Sequence, residues 1–192
     1  WPLIRVGGYT GSPKTAVLQS LRDAGQQVVD LEGLACHFGS AFGNLRRHPQ
    51  PSSEHFRNLL AEALTDLDSQ RRIWVESESR RIGRVHIPEP FYQRMIACPA
   101  LEMLRSTEDR VAHLVEMYGS FDLDLLREGF DAIRAEVGGP ETREALDALD
   151  REDLASAARI ALAYYDRTYE HGLQKRAADN RYPVGCEGVS LD

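Results

Sequence analysis

The stretch VGGYTGSPKT, residues 6–15, collects groups that bind a phosphate anion. Gly8, Gly11, Lys14 and Thr15 occupy the places of the pattern G-x-x-x-x-G-K-[ST]. In that pattern glycines let the backbone approach a phosphate, successive N–H groups point at it, and a helix N-terminus stands behind. Lys14 supplies a full positive charge, and the Thr15 hydroxyl suits a divalent cation such as Mg2+. With Thr10 and Ser12 the expected phosphate-binding set is Gly8, Thr10, Gly11, Ser12, Lys14 and Thr15. One position departs from the pattern. Pro13 stands where the second glycine belongs, and proline brings no N–H. Losing one charge-assisted hydrogen bond costs on the order of 1.5–3 kcal/mol, so a working but weakened anion site is expected.

Two further stretches carry polar chemistry. IWVESESRRIGR, residues 73–84, releases Glu76 and Glu78 from an apolar run, followed by Arg80, Arg81 and Arg84. Glu76 stands where a metal-linked or water-positioning acid is expected behind a phosphate loop. The arginines suit a phosphate clamp or an RNA backbone, or alternatively a surface ion-pair ladder. DLEGLACHFGSAFG, residues 30–43, surrounds His37 with glycine, small residues and the polar Asp30, Glu32 and Ser40. That composition suits a loop closing over a ligand, although a single histidine also fits a structural role.

The elements that must hold these residues follow from periodicity. LIRVGG reads as a buried strand, and KTAVLQSLRDAG as a helix with Ala16, Val17, Leu18, Leu21 and Ala24 at helical spacing and a stop at Gly25. QQVVDLEG is a second strand, PSSEHFRNLLAEALTDLD a capped amphipathic helix, and residues 73–75 a third strand. PEPFYQRMIAC is a short helix and ALEMLRS a fourth strand. Strands alternating with helices specify a parallel sheet with right-handed crossovers, and ligands then bind beyond the carboxyl ends of the strands. From about residue 107 the pattern is helical, broken most clearly at Gly138-Gly139-Pro140. The fold expected is α/β, a P-loop NTPase-like parallel sheet flanked by helices, with an all-helical C-terminal part. Its divisions are a core over 1–120, a helical extension over 121–178 and an irregular tail over 179–192.

Bulk composition bounds the function. The chain of 192 residues carries a net charge of −7, which speaks against broad nucleic-acid binding and leaves only local basic patches, Arg46-Arg47-His48 and the Arg80 cluster. No apolar run approaches the ~18 residues of a membrane span. Cys36, Cys98 and Cys186 are odd in number and lack C-x-x-C spacing, so buried, reduced thiols and a cytoplasmic setting are expected.

Taken in order, GGYTGSPKT, DLEGLACHFGSAFG, QPSSEHF, VESESRRIG, IPEPFYQRM and YYDRTYEHGLQKR resemble the P-loop domain of the tRNA 2-selenouridine synthase family. The likeness runs over about residues 3–176. It implies modification of wobble 2-thiouridine in tRNA to 2-selenouridine through an S-geranylated intermediate, with geranyl diphosphate as substrate and no bound prosthetic group. On that likeness Gly11, Ser12, Lys14 and Thr15 grip the diphosphate, and Arg80 and Arg81 assist. Lys14, Glu76, Arg80 and Arg81 would then be the catalytic set, with Asp30, Glu32, His37, Ser40 and Glu78 close to the ligand. Phe38, Phe42 and Trp74 would line a prenyl slot or pack the core. Family members carry this domain behind a rhodanese domain, which this chain lacks; together with a start at Trp1, this fits a piece of a longer protein. The family loop reads G-S-G-K-T where Pro13 stands, and its H-R-G-S has arginine where Phe38 stands, so both changes lower anion-binding capacity. Two other functions stay open: a P-loop-fold binding module without catalysis, and an ATP-dependent small-molecule kinase.

Overall fold

The protein is seen in a computed structural model that describes residues 1–40, 42, 49–174 and 180–186. In chain order the strands are β1 (Leu3–Gly8), β2 (Gln27–Val29), β3 (Ile73–Glu76), β4 (Arg81–Ile82), β5 (Val85–His86), β6 (Ala100–Leu104) and β7 (Arg181–Gly185). Five of them form one sheet in the order β2-β3-β1-β6-β7, and β4 and β5 form a separate antiparallel hairpin. β1 runs parallel to β3 and β6, and β2 parallel to β3, so the expected parallel α/β sheet is present. The chain divides into two compact units. The first comprises Trp1–Gly8, Pro13–Met103 and β7; the second comprises Tyr9–Ser12 and the chain from Leu104 onward through the last helix.

In the first unit, period-two alternation sends successive side chains of β1 and β3 to opposite faces, and helices bury both. The helices are α1 (Lys14–Asp23), α2 (Leu31–Ala35), α3 (Ser53–Thr65) and α4 (Glu89–Ala97). On one face Leu3, Ile73 and Val75 pack with Phe56 and Leu60 of α3 and Phe91 and Met95 of α4. On the other, Val6, Met103 and Trp74 pack with Val17, Leu18 and Leu21 of α1. α3 starts where expected, with the Ser52 hydroxyl accepting the His55 N–H at 3.1 Å.

In the second unit α5 (Thr107–Tyr118), α6 (Leu123–Ala132), α7 (Arg134–Val137), α8 (Gly139–Asp150) and α9 (Leu154–Gln174) follow one another. Val111 and Leu114 of α5 pack on Leu162 of α9. The Asp153 carboxylate caps α9 by accepting the Ser156 N–H at 3.0 Å, which separates α8 from α9.

The structure differs from the sequence expectation at four places. The LEG of the expected second strand is the first turn of α2, because Asp30 caps a helix there by accepting the Gly33 N–H at 2.7 Å. The RRIGRVH stretch forms the β4–β5 hairpin. The expected irregular tail contains β7, which joins β6 at the sheet edge and brings Cys186 into the cluster of Val6, Leu18 and Met103. The division between units falls at Met103/Leu104, earlier than residue 120. Arg46, Arg47 and His48 lie outside the described residues. Cys36, Cys98 and Cys186 are free thiols. Among the described residues no helix is long and apolar enough to cross a membrane.

Phe56 has no exposed surface, and replacing it leaves a cavity between α3 and the sheet. Phe56→Ala is expected to lower the free energy of unfolding by about 3–5 kcal/mol. A denaturant titration that finds the variant as stable as the parent chain would refute this placement of the core.

Candidate functional site

β1 delivers Gly7 and Gly8 to the carboxyl edge of the sheet, and α1 begins six residues later at Lys14. Between them the Ser12 N–H donates to the Tyr9 carbonyl at 3.0 Å and closes a tight turn. Two further carbonyls of the segment take side-chain donors. The Lys14 ammonium donates to Gly8 at 3.1 Å, and the Arg110 guanidinium of α5 donates to Thr10 at 3.2 Å. A trans peptide points its N–H away from its own C=O, so binding the Thr10 carbonyl aims the Gly11 N–H the opposite way.

Pro13 is the N-cap residue of α1, and no side chain caps that helix. The first-turn N–H groups have no partner within the helix, which leaves positive potential at this end. Among the described residues the buried Ser12 hydroxyl has no hydrogen-bond partner, and Ser12 as a whole is only 7% exposed. A buried hydroxyl with no acceptor costs about 1–3 kcal/mol, a cost that an anion oxygen at this helix end would remove. Thr15 lies exposed at the second position of α1.

Beside the loop, β3 places Glu76 opposite Val6 of β1, and the Ser77 N–H donates to the Val6 carbonyl at 2.9 Å. Glu76 is buried and accepts the Leu31 N–H of α2 at 2.8 Å. Burial first, and the neighbouring Asp30 carboxylate second, push its carboxyl well above the ordinary value of 4.5. Burial that disfavours the charged carboxylate also disfavours its use as a ligand for a hard cation. The chemistry expected of Glu76 toward magnesium is therefore not what its surroundings favour, and Thr15 is the better placed of the two residues expected to serve that ion. Among the described residues no group of three or more His, Cys, Asp or Glu is arranged to hold a metal.

The rest of the acidic flank gathers at Gly39. This residue has φ 72°, and a Cβ there would lie 2.5 Å from Glu32 Oε1 and 3.0 Å from Glu78 Oε1. Only glycine lets the chain pass between the two buried carboxylates. The Gly39 N–H donates to His37 Nδ1 at 3.1 Å, which places the proton of a neutral imidazole on Nε2. The Ser40 hydroxyl accepts the Phe42 N–H at 3.2 Å. Asp30, Glu32, His37, Ser40, Glu76 and Glu78 are thus brought together in one unit. Phe42 is buried, and Trp74 packs in the cluster with α1.

The three arginines take up surface partners. Arg80 pairs with Glu89 at 2.8 Å with both side chains about half exposed. Arg81 Nε donates to the Gly83 carbonyl at 2.7 Å across its own hairpin turn, and the Arg84 guanidinium donates to the Gln50 carbonyl.

The sequence reading passed over residues that hold the loop. Arg110, 4% exposed, binds Asp166 through Nη1 and Nη2 at 2.7 and 2.8 Å. Its guanidinium also lies 5.2 Å from the Tyr9 ring centroid. Tyr9 stacks obliquely on Tyr169, and its hydroxyl donates to Glu170 at 3.3 Å. Burial and the Glu170 charge raise the Tyr9 pKa, so the phenol remains a donor. One signal was present in the sequence: Arg110 occupies the apolar face of α5 next to Val111 and Leu114, where a charge needs a buried counter-charge.

The raised pKa of Glu76 has a measurable consequence. A carboxyl whose folded pKa exceeds its unfolded value contributes stability that is present at low pH and lost as pH rises. Glu76→Gln reproduces the protonated shape, donating to Asp30 and accepting from Leu31 without ionising. Its melting temperature is expected to match the parent chain near pH 4 and to exceed it near pH 8. A constant difference between the two proteins across that range would show that Glu76 is ionised in the folded state.

Comparison with known proteins agrees with the loop and its flank. Residues 1–135 match the family described as the tRNA 2-selenouridine synthase AAA domain. The tRNA 2-selenouridine synthase of Salmonella schwarzengrund is 32% identical over 210 residues, covering 93% of this chain and 57% of that protein. Its counterpart from Salmonella paratyphi B is also 32% identical, with 93% of this chain and 56% of that protein covered. The chain therefore spans a little over half the length of these relatives. Among solved structures, TT1252 from Thermus thermophilus aligns over 97% of this chain and 89% of its own with 16% identity and a TM-score of 0.48, a likeness too slight to bear on function. The sequence match over most of the chain shows that it belongs to the tRNA 2-selenouridine synthase family.

Proposed function

We propose that this chain is the diphosphate-binding half of an enzyme that modifies the wobble uridine of tRNA, and that it grips geranyl diphosphate while the geranyl group passes to the sulfur of 2-thiouridine. The observation that carries this reading is the buried, unpartnered Ser12 hydroxyl at the uncapped start of α1, next to Lys14, in a chain of this family.

In the transfer, sulfur attacks C1 of the geranyl group and the C1–O bond breaks, its electron pair leaving with diphosphate. The ring N3 proton is released as the thiocarbonyl becomes a thioether. The protein's task is to neutralise charge building on the leaving group, which preorganised donors accomplish without reorganisation. Lys14 would exchange the Gly8 carbonyl for a phosphate oxygen, and Ser12 and the first-turn amides of α1 would supply further donors. A bound magnesium ion would add positive charge to the diphosphate, with Thr15 as the protein group to hold it.

Pro13 supports a second reading, an anion-binding module without transfer chemistry, because it lowers the number of donors. The ATP-dependent kinase reading rests on the same loop and requires stabilisation by ATP.

Calorimetry with geranyl diphosphate tests the proposal. Lys14→Ala is expected to weaken binding at least tenfold, about 1.4 kcal/mol; equal affinity for both proteins would sink the proposal. Pro13→Gly restores one N–H and is expected to tighten binding roughly tenfold, in line with a charge-assisted hydrogen bond of about 1.5 kcal/mol. No gain from this variant would favour the module without catalysis. A thermal shift with ATP and none with geranyl diphosphate would favour the kinase.

A further inference from the structure

A phosphate loop works only if its carbonyls are held away from the ligand, and the Thr10 carbonyl owes that to a residue far along the chain. Arg110 lies a hundred positions from Thr10 and within the same compact unit. Its guanidinium binds the Thr10 carbonyl at 3.2 Å, Thr107 Oγ1 at 3.2 Å and both oxygens of Asp166. Its plane also lies near the Tyr9 ring, which touches Tyr169 of α9 on another side. Gly11 fits closely against the same residue: a Cβ there would lie 3.0 Å from Arg110 Cβ and from its carbonyl oxygen. With φ 81°, Gly11 is also in a conformation that suits glycine alone. Three consecutive loop residues, Tyr9, Thr10 and Gly11, therefore rest on one buried side chain and its own turn of helix.

We propose that Arg110, held by Asp166, is a positioning residue that sets the loop for diphosphate by fixing the Thr10–Gly11 peptide with its carbonyl on the guanidinium and its N–H turned away. The physical logic is one of geometry rather than charge alone. A planar guanidinium has enough donors to bind a carboxylate through two nitrogens and a carbonyl at the same time, whereas a lysine ammonium offers no such fork. Asp166 fixes the plane and compensates the charge, so Arg110 acts on the loop without itself touching the substrate. Without it the Thr10–Gly11 peptide is free to rotate, and its carbonyl can face the anion.

This inference rests on the anion-loop reading above, and the experiment separates the two. Calorimetry with inorganic pyrophosphate is carried out on the 192-residue chain, on Lys14→Ala, and on Arg110→Lys and Asp166→Asn. Hydrogen exchange of the Gly11 and Ser12 amides is followed in the same proteins without ligand. Arg110→Lys is expected to weaken pyrophosphate binding about tenfold and to speed exchange at Gly11 and Ser12. Asp166→Asn should give the same pattern more weakly, while amides of α3 and β3 keep parental exchange in both variants. If Lys14→Ala loses binding while Arg110→Lys and Asp166→Asn bind and exchange like the parent, the anion loop stands and the positioning role of Arg110 falls. If the parent chain and Lys14→Ala are alike toward pyrophosphate, the anion loop falls and this inference with it. If Arg110→Lys loses exchange protection throughout, including α3 and β3, its role is structural. Asp166→Asn then decides the matter, since it keeps the side-chain shape and loosens only the grip on the guanidinium: parental pyrophosphate affinity and parental exchange at Gly11 and Ser12 in that variant overturn the proposal.

Discussion

A parallel strand buried on both faces and paired on both edges has to satisfy its last peptide groups beyond the sheet, and β1 is under that constraint. Val6 lies between Glu76 of β3 and Leu101 of β6, and two residues later the ladders end. The next three carbonyls each take a donor from a different source. Gly8 takes the Lys14 ammonium from the next helix, Tyr9 takes the Ser12 amide from the turn itself, and Thr10 takes Arg110 from α5. The loop is therefore shaped by the need to satisfy carbonyls, and its capacity for anions is what that shape leaves over.

Two buried ionisable groups near this loop are handled in opposite ways. Glu76 can take up a proton, so burial shifts it toward the neutral acid, and its carboxyl ties β3 to α2. An arginine is never deprotonated in a protein, so Arg110 needs a counter-charge, which Asp166 of α9 provides. The first solution favours the neutral acid at the end of β3. The second spends a carboxylate of α9 on rigidity rather than on chemistry.

Pro13 is compatible with the fold for a reason that also explains its effect on ligands. As N-cap residue it lends its carbonyl to the Val17 N–H at 3.0 Å and so begins the hydrogen bonding of α1. Its missing N–H is one that no helix would have used. The fold thus gives up no helical hydrogen bond at Pro13. The other departure from the family pattern, Phe38, stands next to the buried His37 at the edge of the acidic flank.

The sequence by itself determined the alternation of strands and helices, the phosphate loop between β1 and α1, the Ser52 cap of α3 and the family, because each is written in residues adjacent along the chain. The same holds for the grouping of Asp30, Glu32, His37 and Ser40, which lie within eleven positions of one another. Periodicity misjudged the LEG of α2, the β4–β5 hairpin and β7. An Asp30 cap, a two-residue strand and an edge strand owe their form to neighbours rather than to their own pattern. Local reading also set Glu76, Arg80 and Arg81 on the ligand. Tertiary packing instead turned Glu76 onto the Leu31 amide and put the arginines on Glu89 and Gly83. Only the tertiary structure could show Arg110, Asp166 and Glu170 around the loop, because a buried charge finds its partner through space and leaves no trace of that choice in the spacing of the chain.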